Sequence, residues 1–260
     1  MFFSIVVASL NAESLIKNTI DSVLMQTFDD YEIIVKDGMS TDKTIENIPD
    51  SDKISVYAMK DKNVYDAMNQ AIPYCKGRFI LFLNCGDNFA SENVLESVYN
   101  LVKDEKEPCI VYGNLTKGGV FKKQPSSLSA FTLYRNSLCH QTMFVHRDVF
   151  ELCGKYNIEY GISADYEHTV HSYFKGVRFI YTNTVIADYL PGGLSETENG
   201  LKVRKAEYKK IRKTYYDFLS RIMYDLILFL SMKKLRIYIA SDKSPAFLRN
   251  LYRKAVNKIN

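Results

Sequence analysis

The sequence predicts an α/β protein with a Rossmann-like, mostly parallel central sheet that is flanked by helices. Short apolar runs alternate with helix-like segments through the first 115 of the 260 residues. Strands that alternate with helices form βαβ units, in which the strands are parallel. A composition of 47% hydrophobic and 25% charged residues is typical of a globular protein and excludes a disordered chain.

Five apolar runs of strand length occur in this first part of the chain. They are residues 2–8, 31–36, 54–57, 79–83 and 109–112. The segments between them have apolar residues at helical spacing or a good N-cap. Helices are therefore predicted at 13–26, after Ser40 or Thr41, at 64–74 and from Ser91 to about residue 104.

The second half of the chain has a mixed α+β pattern. Strands are predicted at 141–145, 177–180 and 184–189, with a helix at 164–175. From about Glu196 the chain is expected to be helical and basic. The prediction is one α/β domain over residues 1–210, followed by a basic, amphipathic helical extension over residues 211–260.

The charge is distributed unevenly. Residues 201–260 hold 16 Lys or Arg against 4 Asp or Glu, a net charge of +12, although the whole chain carries only +4. The remaining body is therefore acidic, with a net charge of −8. An acidic body repels polyanions, so no nucleic-acid partner is predicted, whereas the basic tail favours an anionic surface.

The tail has two open interpretations. Residues 215–232 are strongly apolar but contain Asp217, Arg221 and Asp225, so they are not expected to span a membrane. A second amphipathic piece follows at 247–259. Helices of this kind lie on an anionic bilayer surface, or they pack on the domain with the basic face in solvent.

Several classes of protein are excluded or disfavoured. Five cysteines without a C-x-x-C pair suggest neither a disulfide framework nor a zinc ribbon. The N-terminus has no basic segment typical of a signal peptide. Neither G-x-G-x-x-G nor G-x-x-x-x-G-K-[ST] is present, which disfavours dinucleotide-binding and P-loop proteins. A cytoplasmic protein is expected, either free or peripheral at the inner face of the cell membrane.

Polar residues follow the predicted strands and define a candidate site. Asp37 follows the second strand and Asp87 follows the fourth, so both are expected at the carboxyl edge of the sheet, where α/β proteins bind ligands. Two nearby carboxylates repel each other, and Mg²⁺ or Mn²⁺ together with substrate phosphates would remove that cost. The alternative for each aspartate alone is a turn or N-cap residue.

Seven segments, in order and at ordinary spacings, resemble glycosyltransferase family 2, most closely its bacterial polysaccharide-biosynthesis members. They are SIVVASLN (4–11), QTFDDYEIIVKDGMSTDKT (26–44), DKNVYDAMNQAI (61–72), GRFILFLNCGD (77–87), HQTMF (140–144), ISADYE (162–167) and GGLS (192–195). The resemblance implies a GT-A fold and an inverting, metal-dependent enzyme. It further implies a nucleotide-sugar donor, expected to be a UDP-sugar, and a saccharide acceptor, expected to be lipid-linked.

The resemblance implies that seven residues contact the donor: Ala8, Asn11, Asp37, Asp66, Asn84, Gly86 and Asp87. Asp37 matches the aspartate that holds the nucleobase, and its carboxylate would accept the N3–H of uracil. Residues 84–87, N-C-G-D, match the DXD-type motif, with Asn84 and Gly86 where aspartates are common. Asp87 is then the expected ligand of Mn²⁺ or Mg²⁺. Asn63 stands where this subgroup often has glycine.

Asp165 matches the catalytic base of the family. An inverting transfer needs a carboxylate that takes the proton of the acceptor hydroxyl. Glu167 is the rival, and the structural alternative for Asp165 is a partner of the helix dipole. His140 and Gln141 fit either the acceptor side of the site or a polar turn. G-G-L-S (192–195) fits a loop that closes over the diphosphate or a plain turn. A catalytically inactive nucleotide-sugar binding module is the alternative function.

Overall fold

The computed structural model describes residues 1–231, Pro245 and Phe247. The strands in this part of the chain are β1 (Phe3–Ser9), β2 (Tyr31–Asp37), β3 (Ile54–Ala58), β4 (Phe79–Asn84), β5 (Asn88–Phe89), β6 (Cys109–Lys117), β7 (Val120–Lys122), β8 (Met143–His146) and β9 (Arg178–Tyr189). The helices are α1 (Ile16–Leu24), α2 (Val64–Ala71), α3 (Val94–Val102), α4 (Ala130–Arg135), α5 (Arg147–Cys153), α6 (Ala164–Phe174), α7 (Glu198–Tyr215) and α8 (Phe218–Ser231). The chain forms two compact units, residues 1–211 and residues 212–260.

The described strands form one sheet with the order β3-β2-β1-β4-β8-β6-β9-β5, and β7 pairs with β6. In the parallel half, Val6 of β1 pairs with Ile34 of β2 and with Phe82 of β4. In the other half, β8 runs antiparallel to both β4 and β6, whereas β6 and β9 are parallel. The predicted α/β fold class is confirmed, and the sheet is mixed rather than mostly parallel.

Both faces of β1, β2 and β4 are buried, whereas the parallel edge strand β3 is largely exposed. Ile5 of β1 belongs to a core cluster with Ile16 of α1 and Val98 of α3. On the other face, Phe82 of β4 packs edge-to-face on Phe150 of α5, with ring centroids 6.1 Å apart. Because helices cover both faces, the parallel strands consist of nearly continuous apolar residues, the pattern from which they were predicted.

The helix predicted after Ser40 is wrong, because this segment folds as turns. Asp42 Oδ1 accepts the backbone N–H of Thr44 at 3.0 Å. The buried Thr44 hydroxyl in turn accepts the N–H of Ala12 at 2.7 Å. Short polar side chains that bond to nearby backbone offer an alternative to helical hydrogen bonds, and here that alternative prevails.

Other boundaries differ from the predictions in smaller ways. The strands predicted at 177–180 and 184–189 are one continuous strand, β9, with a local irregularity in its pairing to β6. The strand predicted at 141–145 begins at Met143, after a 3-10 turn at His140–Thr142. The helix predicted from Ser91 to about residue 104 is α3, which begins at Val94. The elements β5, β7, α4 and α5 were not predicted.

In the second unit, α8 has no buried residue. Its exposed side chains include Phe218, Leu219, Leu226 and Phe229. Among residues 1–231, every helix is too short or too polar to cross a bilayer. The amphipathic piece predicted at 247–259 lies outside the described residues, apart from Phe247.

Gly77 lies where the chain enters β4 against the beginning of β1. A Cβ atom at this position would lie 2.4 Å from the backbone nitrogen of Ser4 and 2.5 Å from the carbonyl carbon of Phe3. The N–H of Gly77 donates to Ser4 Oγ at 2.8 Å, and Ser4 Oγ donates to the carboxylate of Glu32. Only glycine allows the backbones to approach this closely.

We expect Gly77→Ala to lower the free energy of unfolding by about 1–3 kcal/mol or more, because backbone atoms cannot move aside as a flexible side chain can. Urea-induced unfolding followed by circular dichroism measures the loss. Gly161→Ala is the matched control, since its Cβ would come no closer than 3.9 Å to Glu207 Oε1. Equal unfolding free energies for the two variants would contradict the packing assigned to Gly77.

Candidate active site

The predicted donor residues lie at the carboxyl edge of the parallel strands. Ala8 of β1 pairs in register with Lys36 of β2 and Asn84 of β4. The carboxyl ends of β1, β2 and β4 therefore lie side by side, as expected for the ligand-binding edge of an α/β sheet. Ala8 is half-buried. The neighbouring Ser9 pairs with Asp37 at the end of β2.

Asp37 is fully buried, and both of its oxygens accept hydrogen bonds. Oδ1 accepts from the hydroxyls of Ser9 at 3.0 Å and Ser40 at 2.6 Å, and Oδ2 accepts the N–H of Ser40 at 2.7 Å. The exposed Asn11 links the same two loops, because its Oδ1 accepts the N–H of Thr41 at 2.9 Å. Both predicted donor residues thus hold the loops after β1 and β2 together.

A buried ion pair lies at the same strand end. Lys36 is fully buried, and its ammonium lies 3.0 Å from Asp61 Oδ2. Its other acceptors are the carbonyl oxygens of Asp37 at 3.0 Å and Met59 at 2.6 Å. The three donors of the ammonium therefore have three acceptors, which offsets the cost of removing the charge from water.

Asp66 and Asn63 organise the beginning of α2. Asn63 Oδ1 accepts the N–H groups of Tyr65 and Asp66 and so caps the helix. Asp66 Oδ2 accepts the N–H of Lys62 at 2.9 Å and a bond from Gln70 at 3.2 Å. The carboxylate of Asp66, a predicted donor-binding residue, is thus engaged at the start of its own helix.

The N-C-G-D segment turns sharply after β4. Gly86 has φ +99°, a conformation that side chains disfavour, and a Cβ would lie 2.7 Å from Leu190 Cδ2. The N–H of Gly86 donates to Thr19 Oγ1 at 2.9 Å, and the N–H of Asp87 donates to the carbonyl of Asn84 at 3.0 Å. This turn directs the side chain of Asp87 toward Gln141 and Leu190, which donate hydrogen bonds to its carboxylate.

Asp87 is buried, and burial raises the pKa of its carboxyl group above the ordinary value. Oδ2 accepts from Gln141 Nε2 and Oδ1 accepts the N–H of Leu190, both at 2.9 Å. Gln141 is itself oriented by Cys139, whose thiol donates to Gln141 Oε1 at 2.9 Å. Burial raises the pKa of Cys139 to about 12, so the thiol keeps the proton that it donates.

The donor atoms here fit a hard divalent cation. Within the described residues, His, Cys, Asp and Glu form no group of three or more that could hold a metal. Mg²⁺ and Mn²⁺ nevertheless bind through one or two carboxylates when substrate phosphates supply the rest. Asp87 offers one carboxylate. The carboxamide oxygen of Asn84 is buried and has no hydrogen-bond partner in this part of the chain, so a second oxygen is available.

Asp165 lies in the first turn of α6 and accepts three hydrogen bonds. Oδ1 accepts the N–H of Tyr166 at 2.8 Å and lies 2.9 Å from the Tyr65 hydroxyl, whose single hydrogen is shared with the carbonyl oxygen of Ile162 at 2.8 Å, and Oδ2 lies 3.1 Å from His140 Nδ1. Burial raises the pKa of Tyr65 well above its ordinary value, so the phenol keeps its proton. The Asp165 side chain is 18% exposed, which leaves it open to a substrate.

His140 connects this carboxylate to the N-C-G-D segment. Asn84 Nδ2 lies 3.2 Å from His140 Nε2. An amide nitrogen only donates, so Nε2 accepts and the ring hydrogen is on Nδ1, which faces Asp165. Consecutive residues of one 3-10 turn therefore contact both candidate carboxylates, because His140 contacts Asp165 and Gln141 contacts Asp87.

Sequence reasoning did not identify Tyr65, Lys36 or Asp61 as part of this arrangement, and it left His140 and Gln141 open. Each makes its contact with a residue distant in sequence, up to 100 positions away for Tyr65 and Asp165. The sequence nevertheless indicated them, because these five residues all lie within the motifs that resemble glycosyltransferase family 2. Glu167, the rival of Asp165, is also buried in α6.

The G-G-L-S segment lies directly after β9 and begins a short 3-10 turn at Leu194–Glu196. Glu196 forms an ion pair with Lys117 of β6 and accepts the N–H of Gly192 at 3.2 Å. The hydrogen bond to Lys117 lowers the pKa of the Glu196 carboxyl group. A separate groove of about 620 Å³, lined by residues that include Asn88, Thr116 and Asp188, contains none of the predicted site residues.

A sheet of this order, with a carboxylate turn after β4 and a second carboxylate at the start of α6, fits a glycosyltransferase with the GT-A fold. The family model described as Glycosyl transferase family 2 matches residues 4–152. The chain therefore belongs to glycosyltransferase family 2, and the resemblance found in the sequence is confirmed.

Two relatives are similar over most of their length. A "PGL/p-HBAD biosynthesis glycosyltransferase" of Mycobacterium bovis is 30% identical over 209 residues, covering 75% of this chain and 79% of the relative. The "UDP-Glc:alpha-D-GlcNAc-diphosphoundecaprenol beta-1,3-glucosyltransferase WfaP" of Escherichia coli is 28% identical over 209 residues, covering 76% of this chain and 81% of the relative.

Solved structures share the fold at low sequence identity. S. aureus TarS 1-349 in complex with UDP-GlcNAc has a TM-score of 0.62 and 16% identity, covering 98% of this chain and 79% of that one. The mannosyltransferase PcManGT from Pyrobaculum calidifontis, in complex with GDP-Man and Mn²⁺, has a TM-score of 0.63 and 14% identity, with the same coverage. These likenesses establish the fold.

We expect Asp87→Ala to abolish metal-dependent binding of a nucleoside diphosphate while the fold is retained, because it removes the one carboxylate of the N-C-G-D segment. Isothermal titration with UDP and Mn²⁺ measures the affinity, and circular dichroism checks the fold. Asp104→Ala, which removes an exposed carboxylate just after α3, is the matched control. An Asp87→Ala protein with the affinity of the wild type would overturn the metal assignment.

Proposed function

We propose that the protein is an inverting, metal-dependent glycosyltransferase that moves a sugar from a UDP-sugar to a hydroxyl group of a lipid-linked saccharide. The observation that carries this proposal is the hydrogen-bonded Asp165 carboxylate, which is partly open to solvent and is linked through His140 to the N-C-G-D segment. A base and a donor-binding segment held in one network are the two parts that such a transfer needs.

In the proposed step, Asp165 takes the proton of the acceptor hydroxyl while that oxygen attacks the anomeric carbon. The attack comes from the face opposite the nucleoside diphosphate. The bond from the anomeric carbon to the diphosphate oxygen breaks, its electron pair leaves with the diphosphate, and the configuration inverts. Three hydrogen-bond contacts fix the carboxylate for this role and leave one lone pair, on Oδ2, for the incoming hydroxyl.

His140 holds Asp165 in a defined orientation. Its Nδ1–H donates to Asp165 Oδ2. The amide of Asn84 donates to Nε2, and this bond fixes the tautomer with the hydrogen on Nδ1. The histidine therefore supplies a hydrogen bond without a second base beside Asp165. Tyr65 acts similarly on the other carboxylate oxygen, and its buried phenol is not a competing base.

Asp87 is proposed to hold the divalent metal, Mn²⁺ or Mg²⁺, and the buried side-chain oxygen of Asn84, in the same turn, has no other partner among the described residues. A bound cation would offset the negative charge that develops on the departing diphosphate. Removing the carboxylate of Asp87 from water raises its pKa, so a cation nearby would also offset the cost of its burial. The Mn²⁺ bound in PcManGT supports this part of the proposal.

The choice of donor and acceptor rests on the comparisons. The solved TarS complex contains UDP-GlcNAc, and the name of WfaP specifies UDP-Glc as donor and a diphosphoundecaprenol-linked sugar as acceptor. The name of the mycobacterial relative specifies PGL/p-HBAD biosynthesis. A hexosyl or N-acetylhexosaminyl transfer in surface polysaccharide biosynthesis is the corresponding proposal for this chain.

The C-terminal unit is proposed to contact an anionic membrane surface. Several of its apolar side chains are exposed on α8, including Leu219, which is 75% exposed, and Leu226. The final 60 residues carry the net charge of +12 described above. A lipid-linked acceptor would make contact with a bilayer useful, since apolar insertion and attraction to anionic lipids reinforce each other.

We expect Asp165→Asn to lower the transfer rate by about two to four orders of magnitude, because the amide keeps the shape of the side chain but cannot accept the proton. The affinity for the UDP donor should change little, since the base acts on the acceptor. A screen of UDP- and GDP-sugars with Mn²⁺ identifies the donor. Single-turnover rates and the donor dissociation constant then separate chemistry from binding.

Glu167→Gln tests the rival base by the same measurements. An inactive Glu167→Gln enzyme together with an active Asp165→Asn enzyme would show that the base is misassigned. Normal transfer by both variants would refute single displacement through this segment. A wild-type protein that is stabilised by UDP but turns over no donor would favour the inactive binding module instead.

We expect deletion from about residue 215 onward to weaken membrane association more than sugar transfer to a soluble acceptor. Flotation with anionic liposomes at low and high salt measures the association. A full-length Leu219→Gln/Leu226→Gln variant keeps the charge and removes two exposed apolar side chains, which separates insertion from electrostatic attraction. Equal flotation of the full-length and truncated proteins would remove the membrane role, as would a truncated protein that does not fold.

A further inference from the structure

The end of β2 contains a carboxylate that the proposed chemistry has not used. Asp61 follows β3, and its side chain is 14% exposed. Its Oδ2 accepts from the buried ammonium of Lys36 at 3.0 Å, whereas Oδ1 has no hydrogen bond in the part of the chain that the structure describes. One oxygen of this carboxylate is therefore fixed by a cation, and the other is available.

The position of Asp61 depends on the glycine beside it. A Cβ on Gly38 would lie 2.9 Å from Asp61 Oδ2 and 3.2 Å from Leu10 Cδ1. The absence of a side chain at Gly38 therefore leaves room for both the Asp61 carboxylate and the Leu10 side chain at the carboxyl edge of β1, β2 and β3. Leu10 is 58% exposed, so an apolar surface and an accessible acceptor are side by side.

Asp37 contrasts with Asp61. Asp37 is 0% exposed, and the Ser9 and Ser40 hydroxyls and the Ser40 N–H already donate to its two oxygens. Removing any of these bonds would leave a buried polar group unsatisfied, which is costly. A ligand would have to break the contacts that hold the loops after β1 and β2 in order to reach Asp37.

We propose that Asp61, rather than Asp37, is the carboxylate that selects the nucleobase, with Asp61 Oδ1 accepting the ring N–H of the base while the face of the base packs on Leu10. This inference rests on the proposed function, because it assigns a specificity residue to the same donor site. Uracil at N3 and guanine at N1 present a ring N–H. Cytosine and adenine present a lone pair at the corresponding positions and are rejected by a carboxylate.

Lys36 determines how the side-chain amide is oriented in an Asp61→Asn variant. The ammonium only donates, so in Asp61→Asn the amide oxygen faces Lys36 and the amide nitrogen faces the base. The substitution therefore replaces an acceptor with a donor at the position that meets the ring nitrogen. A donor opposes uracil N3–H but matches the lone pair of cytosine N3.

The test measures the affinities of UDP, GDP and CDP by isothermal titration with Mn²⁺. The wild type is expected to bind UDP or GDP more tightly than CDP. Asp61→Asn should weaken binding of that preferred nucleotide by about 10- to 100-fold, because it removes a hydrogen bond to a charged acceptor, while CDP binds as well as or better than to the wild type. Asp52→Asn removes an exposed carboxylate at the opposite end of β3 and should match the wild type.

Two further variants keep the test decisive. Gly38→Ala displaces the Asp61 carboxylate without changing it and should reduce the same preference, so the inference is tested even where Asp61→Asn fails to fold. Asp37→Asn should lower the melting temperature yet keep the preference of the wild type.

An unchanged preference in folded Asp61→Asn, or a preference lost in Asp37→Asn alone, overturns the inference and leaves the proposed function standing. A wild type that prefers CDP also overturns the inference. A wild-type protein that binds no nucleoside diphosphate overturns the proposed function and this inference with it.

Discussion

The site depends on one short turn, His140–Thr142, whose first two side chains hold the carboxylates of Asp165 and Asp87. In the described part of the chain neither forms an ion pair with lysine or arginine. Their ionised forms rely instead on Gln141, on a backbone N–H for each, on Tyr65 and on the Nδ1–H of His140. Neutral donors orient a carboxylate but do not cancel its charge, so the site keeps a negative charge for a cation or a proton.

The mixed pairing of the sheet brings the His140–Thr142 turn to the carboxyl ends of the parallel strands. β8 is antiparallel to β4, with Phe79 paired to His146 and Ile80 paired to Val145. The beginning of β8 therefore lies toward the end of β4, and the turn His140–Thr142 that precedes it reaches the N-C-G-D segment. A parallel strand in this position would have placed the turn at the opposite edge of the sheet. The antiparallel pairing thus positions the residues proposed for the chemistry.

The sequence could predict what local pattern determines. Continuous apolar runs predicted β1, β2 and β4, because strands covered on both faces need such runs, and a shorter run predicted the largely exposed edge strand β3. The order of motifs indicated Asp87 and Asp165. The side chains and loops that contact these residues lie 25 to 103 positions away in sequence, and no local pattern specifies such pairings. The helix expected after Ser40 failed for a related reason, because Thr44 is held by the backbone of Ala12, 32 positions away.

The two ends of the site differ in their electrostatics, and the difference bears on where a cation would bind. At the end of β2, Asp61 is paired with the buried Lys36, and Asp37 is surrounded by hydroxyl and N–H donors. That end already contains a protein cation, and a metal there would face the charge of Lys36. At the other end, Asp87 accepts hydrogen bonds from the Gln141 amide and the N–H of Leu190, and Asn84 has a buried amide oxygen without a partner among the described residues. A divalent ion is therefore favoured beside Asp87, where the diphosphate is expected, and disfavoured at the end that we assign to the nucleobase.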